Sequence, residues 1–156
     1  MRISSWLRSW SAAADRRKQG TRSNIGAVSA EQFEPRSMLS ASVLVVGGTE
    51  LNITLSLNDS ASVSSLSGAV VVQIGTNGGN LLPVPLGNLS ASAVQSIVIF
   101  GGEEGNSIDL SGVHATDFTS LTSINVDGGN GNDSILGSND FGDSLFGGDG
   151  ADTLDG

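Results

Sequence analysis

The chain has 156 residues, with 22 Gly, no Cys, no Tyr and the single histidine His114, a composition that excludes a disulfide scaffold, thiolate chemistry, Cys-type zinc sites and His-pair metal motifs. All seven basic residues (Arg2, Arg8, Arg16, Arg17, Lys18, Arg22, Arg36) precede Ser37, where Asp15, Glu31 and Glu34 leave a net of +4, and the remaining 120 residues carry 13 carboxylates and no Lys or Arg. Such a body repels itself, cannot hold a nucleic-acid backbone by releasing counterions, and calls for a soluble cation as its neutralising partner.

Residues 1–40 read as a basic arm, disordered on composition alone. A secretory signal needs a basic start and about 7–15 apolar residues. Here Trp6-Leu7 is cut by Arg8, and Ser9 to Ala14 is short and polar. The segment Glu31-Gln32-Phe33-Glu34-Pro35-Arg36-Ser37-Met38-Leu39-Ser40 resembles the LEPR-XLL segment near the start of many large planctomycete surface and exported proteins, with Phe33 and Met38 where that family has leucines. The resemblance implies a targeting arm, a secreted, extracellular or cell-surface destination, and a folded body that starts near Ser40. Nowhere does the chain approach the about 18 consecutive apolar residues of a membrane helix, so no transmembrane span is expected.

Residues 41–95 form a Ser/Gly/Val-rich β region. Leu51, Ile53, Leu55 and Leu57 alternate with polar residues, as do Val70, Val72 and Ile74, which is the period of half-buried strands. No window of the body has helical apolar spacing, and no helix is expected. Three segments share the form apolar-x-apolar-x-Gly-Gly: Val43 to Gly48, Ile97 to Gly102 and Ile124 to Gly129. The last two lie 27 residues apart, and residues 96–108 align with 123–135. A strand, a Gly-Gly corner and another strand, repeated, predict a parallel solenoid.

Within residues 96–156, the last 30 tighten into a nine-residue repeat. Gly128 to Leu136 fits G-G-x-G-x-D-x-U-x, with U a large apolar residue, and so does Gly147 to Asp155. Gly137 to Phe146 is a ten-residue copy that keeps Gly137, Gly142, Asp143 and Leu145. Gly101 to Asp109 is a weaker copy, with Glu104 at the third glycine and Asn106 at the aspartate. Glycines permit a corner whose carbonyl oxygens turn inward, and the aspartate adds a charged oxygen from the same corner. Calcium takes about 6–8 such oxygens, more than one corner can supply. Each nonapeptide is therefore a half-site followed by a strand.

The pattern resembles the RTX, or hemolysin-type, calcium-binding repeat of secreted bacterial toxins, proteases and lipases, which forms a parallel β-roll. The resemblance implies an all-β fold with a parallel β-roll or β-solenoid in residues 96–156 and calcium as the cofactor. It also implies that Asp133 and Asp152 share one ion with the corners Gly128, Gly129, Asn130, Gly131, Asn132 and Gly147, Gly148, Asp149, Gly150. Asp143 falls on the opposite side, with a partner corner that starts at Gly156, the first position of a next repeat. The expectation is a truncated or degenerate array whose intact form has more repeats.

The remaining polar residues read more plainly. Glu103 and Glu104 form an exposed acidic turn, Asp140 and Asp155 are solvated, Asp109, Asp117 and Asp127 are turn residues, and His114 sits on a surface loop. No catalytic constellation emerges, so the chain reads as a calcium-binding, exported structural module and not as an enzyme. Two alternatives stand beside this reading: an accessory region of a larger secreted hydrolase or lyase, and a surface adhesin stalk. In the second, exposed strand edges would bind another copy or a cell-surface partner.

Overall fold

A computed structural model of the chain describes residues 41–156, so the expected arm at 1–40 lies outside the described residues. These residues belong to one compact all-β unit. In chain order the strands are β1 (Ser42–Val46), β2 (Glu50–Thr54), β3 (Asp59–Leu66), β4 (Ala69–Thr76), β5 (Leu82–Val84), β6 (Ser96–Phe100), β7 (Ser107–Gly112), β8 (Ser123–Asp127), β9 (Ser134–Leu136), β10 (Asp143–Phe146) and β11 (Thr153–Asp155). The sole helical element among the described residues is a three-residue 3-10 turn, Ala91–Ala93. None is long and apolar enough to cross a membrane.

The strands form two mixed sheets. One has the order β1-β2-β6-β8-β10 and the other β11-β9-β7-β3-β4-β5. From β6 onward successive strands alternate between the sheets, so each parallel pair within a sheet is connected through a strand of the other. Parallel neighbours need such a crossover, because a tight turn can join only antiparallel strands. The 27-residue repeat read from the sequence is the pairing register: Ser96 lies opposite Ser123 in the first sheet and Ser107 opposite Ser134 in the second. The next step is 19 residues, with Ser134 opposite Thr153, because Gly137–Phe146 has ten residues in place of nine.

Alternation places one side of each strand in a common core. Leu51, Ile53, Ile97, Ile99, Ile124 and Val126 of the first sheet join Ala61, Val63, Ile108, Leu110 and Ile135 of the second, all nearly inaccessible to solvent. Removing one such large aliphatic side chain from water contributes about 1.5–3 kcal/mol. The loop between β7 and β8 adds Val113, Phe118 and Leu121. Leu57, which the alternation placed among the buried residues, is exposed because the strand ends at Thr54 and the chain turns into the corner before Asp59.

Val43 to Gly48 departs from the solenoid expectation. β1 pairs antiparallel with β2, Val43 opposite Ile53, through a hairpin in which both Gly47 and Gly48 have positive φ. Two consecutive left-handed residues make the tight turn that suits a hairpin. Gly101 and Gly128, the first glycines of the other two segments, have no positive φ and lead across to the second sheet. The same dipeptide thus closes a hairpin once and a crossover corner twice.

Candidate cation site

The corners that lead from the first sheet to the second stack on one another. Ser60, Ser107, Ser134 and Thr153 are in register at the head of β3, β7, β9 and β11. The residues just before them, Asp59, Asn106, Asp133 and Asp152, therefore form a column. Backbone and side chains knit it together. The Asp133 N–H donates to Asp152 Oδ1 (2.9 Å), and the Asn106 N–H donates to Asp133 Oδ1 (2.7 Å). The corner backbones are also bonded: Asn130 N–H to Gly102 O (2.9 Å), Asp149 N–H to Gly129 O (2.9 Å) and Gly131 N–H to Asp149 O (2.8 Å). Asn132 Oδ1 accepts from the Ala151 N–H at 2.9 Å. The residues of Gly128–Asp133 and Gly147–Asp152 expected to face each other are adjacent.

Glycine is required here for contact as well as for conformation. Gly148 has φ +96°, and a Cβ there would fall on the carbonyl oxygen of Gly129. A Cβ on Gly128, which has ordinary φ, would meet Asp133 Oδ2 and lie 2.5 Å from Gly147 O. The space left by that missing side chain is where a carboxylate oxygen and a carbonyl oxygen of the next corner converge.

Asp133 is 2% exposed, and its Oδ2 is buried with no hydrogen-bond donor. Burial pushes its carboxyl above the ordinary value; the Asn106 N–H opposes the shift, and the Asp152 and Asp127 carboxylates add to it. An unpaired buried carboxylate oxygen costs folding free energy unless a proton or a cation meets it.

Asp143 lies at the other side of the fold, as its place in the ten-residue copy implied. It heads β10 opposite Ile124, in the inward-facing row that also contains Leu51 and Ile97. Its Oδ2 accepts from the Ser138 N–H, and its Oδ1 is buried without a partner. Burial raises its pKa and the Ser138 bond opposes that. The backbone of Gly156 comes up to the Cβ position of Gly137, beside the Asp143 carboxylate.

Asp59, which the nonapeptide pattern does not reach, is the first member of the column and is 4% exposed. The corner leading into it, Ser56 to Asn58, has no glycine, and 47 residues separate it from Asn106 because β4, β5 and β6 intervene. The recoverable signal is the triplet Asp/Asn-Ser/Thr-apolar, as in Asp59-Ser60-Ala61, Asn106-Ser107-Ile108, Asp133-Ser134-Ile135 and Asp152-Thr153-Leu154.

The other polar residues lie outside the column. Asp127 Oδ1 accepts from the Gly129 N–H at 3.1 Å and Asp109 Oδ1 from the Ser111 N–H at 2.9 Å, both two residues on, as in Asx turns. Asp117 instead accepts from Ser65 Oγ at 2.5 Å. His114 and Asp140 meet at 3.5 Å on the surface, and Asp140 also accepts from the Ala115 N–H. Glu103 and Glu104 are exposed.

Among the described residues no group of three or more His, Asp or Glu side chains is placed to hold a metal ion by itself. The corners supply few carboxylates and many carbonyls, a donor set suited to a hard cation with oxygen ligands and unsuited to zinc or copper. Compared with known protein families, curated proteins and solved structures, the chain finds no match. Its function is therefore argued from this site.

Proposed function

We propose that this chain is a calcium-binding, exported structural module in which the stacked Gly-Asp corners form a parallel β-roll, completed by the ion. The observation that carries the reading is Asp133 Oδ2: an anionic oxygen sealed from water, without a donor, beside Gly147 O in a space that only glycine leaves open. The residues fit a hard cation. Asp133 and Asp152, with backbone oxygens of Gly128–Asn132 and Gly147–Gly150, would hold it, and Asp143 would contribute on the opposite side. The ion supplies positive charge to a described body that has no Lys or Arg. The nonapeptide resemblance supports calcium in particular, and the LEPR-XLL resemblance supports export.

Extracellular modules bind calcium at about 10⁻⁴–10⁻³ M, so millimolar calcium outside a cell would act as a signal to fold after export. Binding adds directly to stability, because the corners come together only in the folded chain. The role is structural and not catalytic. The His114–Asp140 pair is exposed, and the shallow cleft of about 210 Å³ beside Phe100 and Phe146 has Asp127 as its one titratable lining residue.

The test is a far-ultraviolet circular-dichroism titration of the 156-residue chain with calcium, followed by a chelator. Strand signal that rises with calcium and falls with chelator is expected. A signal indifferent to both, with no calcium bound in equilibrium dialysis, would remove the reading.

A further inference from the structure

Asn106 and Asp133 occupy the same place in consecutive corners, 27 residues apart, yet their side chains are satisfied in opposite ways. Asn106 is fully buried, and its amide is used completely. Its Nδ2 donates to Leu57 O (2.5 Å) and to Asp59 O (3.2 Å) in the preceding corner, while its Oδ1 accepts from the Gly102 N–H (2.7 Å). The hydrogens of Nδ2 thus do for two carbonyl oxygens what a cation would do, and they do it without net charge.

At Asp133 that arrangement is broken twice. A carboxylate has no hydrogen to donate. The Gly129 N–H, which corresponds to that of Gly102, is directed instead to Asp127 Oδ1. Asp127 stands in register with Phe100, which has no such acceptor. The donor that satisfies Asn106 is withdrawn from its counterpart one corner later, and Asp133 Oδ2 is left open.

Apolar burial changes at the same point. In β2, β3, β4, β6, β7 and β8 the large aliphatic side chains facing inward are buried, and only the short edge strand β5 departs, with Val84 half-buried and Leu82 exposed; beyond β8 only Ile135 is buried, Leu145 is half-buried and Leu154 is 46% exposed. β9 and β11 have three residues each. Ordering a residue's backbone costs about 1–2 kcal/mol, and these short strands bury little apolar surface to set against it.

Resting on the calcium reading, we infer that Asn106 is the residue that sets the upstream limit of cation dependence. Its amide closes the Gly101–Asn106 corner without an ion, residues 41–127 form a metal-independent platform, and calcium orders residues 128–156 upon the edges that β7 and β8 present. Asn106 is thus a specificity-determining position: Asp there makes the corner a cation site, and Asn makes it self-sufficient.

The test is amide hydrogen exchange by mass spectrometry on the full chain, in 10 mM calcium and in excess chelator. Chelation is expected to speed exchange about 10–100-fold in peptides from residues 128–156, the factor that 10 mM ligand gives at Kd values of 10⁻⁴–10⁻³ M. Peptides from β2, β3, β6 and β7 are expected to be unchanged. Accelerated exchange in those four strands as well would overturn the platform while leaving the calcium reading intact. No change anywhere, with no calcium bound, would refute the calcium reading and this inference with it. In N106D the peptides of β6 and β7 are expected to exchange quickly in chelator and to recover with calcium. Protection of β6 and β7 in chelator equal to the parent chain's would show that the Asn106 amide does not close the corner.

Discussion

Replacing Asp133 with Asn separates the two forces acting on the corner, because the substitution should stabilise the metal-free fold and destabilise the calcium-loaded one. In Asp133→Asn, Oδ1 can keep the Asn106 N–H, while Nδ2 takes the place of the unpartnered Oδ2 and faces the space where Gly147 O converges. The like-charge repulsion from Asp152 and Asp127 also disappears. Relief of a buried unsatisfied polar atom is worth about 1–3 kcal/mol, or about 3–6 °C in Tm per kcal/mol for a domain near this size. The opposing effect is set by mass action. Calcium at 10 to 100 times Kd stabilises the parent chain by about 1.4–2.7 kcal/mol, most of which the variant would forgo. Thermal unfolding followed by circular dichroism should therefore show the curves crossing, with Asp133→Asn melting above the parent in chelator and gaining less from calcium. A variant that melts below the parent in chelator, or gains as much from calcium, would refute the account of Asp133.

Gly148→Ala adds left-handed strain of about 1–3 kcal/mol to a collision with Gly129 O, and the calcium-dependent signal is expected to vanish while the β2–β7 core persists in hydrogen exchange. Ile97→Ala, within the core, should cost about 2–5 kcal/mol with or without calcium; equal Tm values for variant and parent would contradict the core assignment. The aspartates also set a pH dependence. Burial raises the pKa of Asp133 and Asp143 above the ordinary 3.8, so their contribution to metal-free stability is fully present below that value and is lost as pH rises through the raised pKa. In chelator the chain should melt higher near pH 4 than near pH 7, and the increment from calcium should grow with pH; the reverse order in chelator would contradict the burial of these carboxylates.

The Gly-Asp periodicity was legible because each repeat is contiguous and glycines such as Gly128 and Gly148 leave room that a Cβ would fill. The alignment of residues 96–108 with 123–135 became the register of four strands, since in a parallel stack the same position faces the same neighbour in every layer. Two features were not legible, because each is decided by which strand pairs with which and not by the local residue pattern. Asp59 belongs to the column through the pairing of β3 with β7, across the inserted β4 and β5. The Gly47-Gly48 hairpin differs from the Gly-Gly corners in the φ of its first glycine and in where the following strand pairs, neither of which the dipeptide encodes. The nonapeptide spacing picks out Asp143 as a corner residue; its register opposite Ile124, which leaves Oδ1 buried without a partner, comes only from the strand pairing.

The central claim, that the Asp133 corner is completed by an ion, is tested most directly by a crystal structure of the chain grown in millimolar calcium, with anomalous data collected at long wavelength. The account predicts an anomalous peak between Gly128–Asp133 and Gly147–Asp152, with Asp133 Oδ2 and backbone oxygens of both corners as ligands. No peak there, with Asp133 Oδ2 paired to a protein donor or a proton, would contradict it.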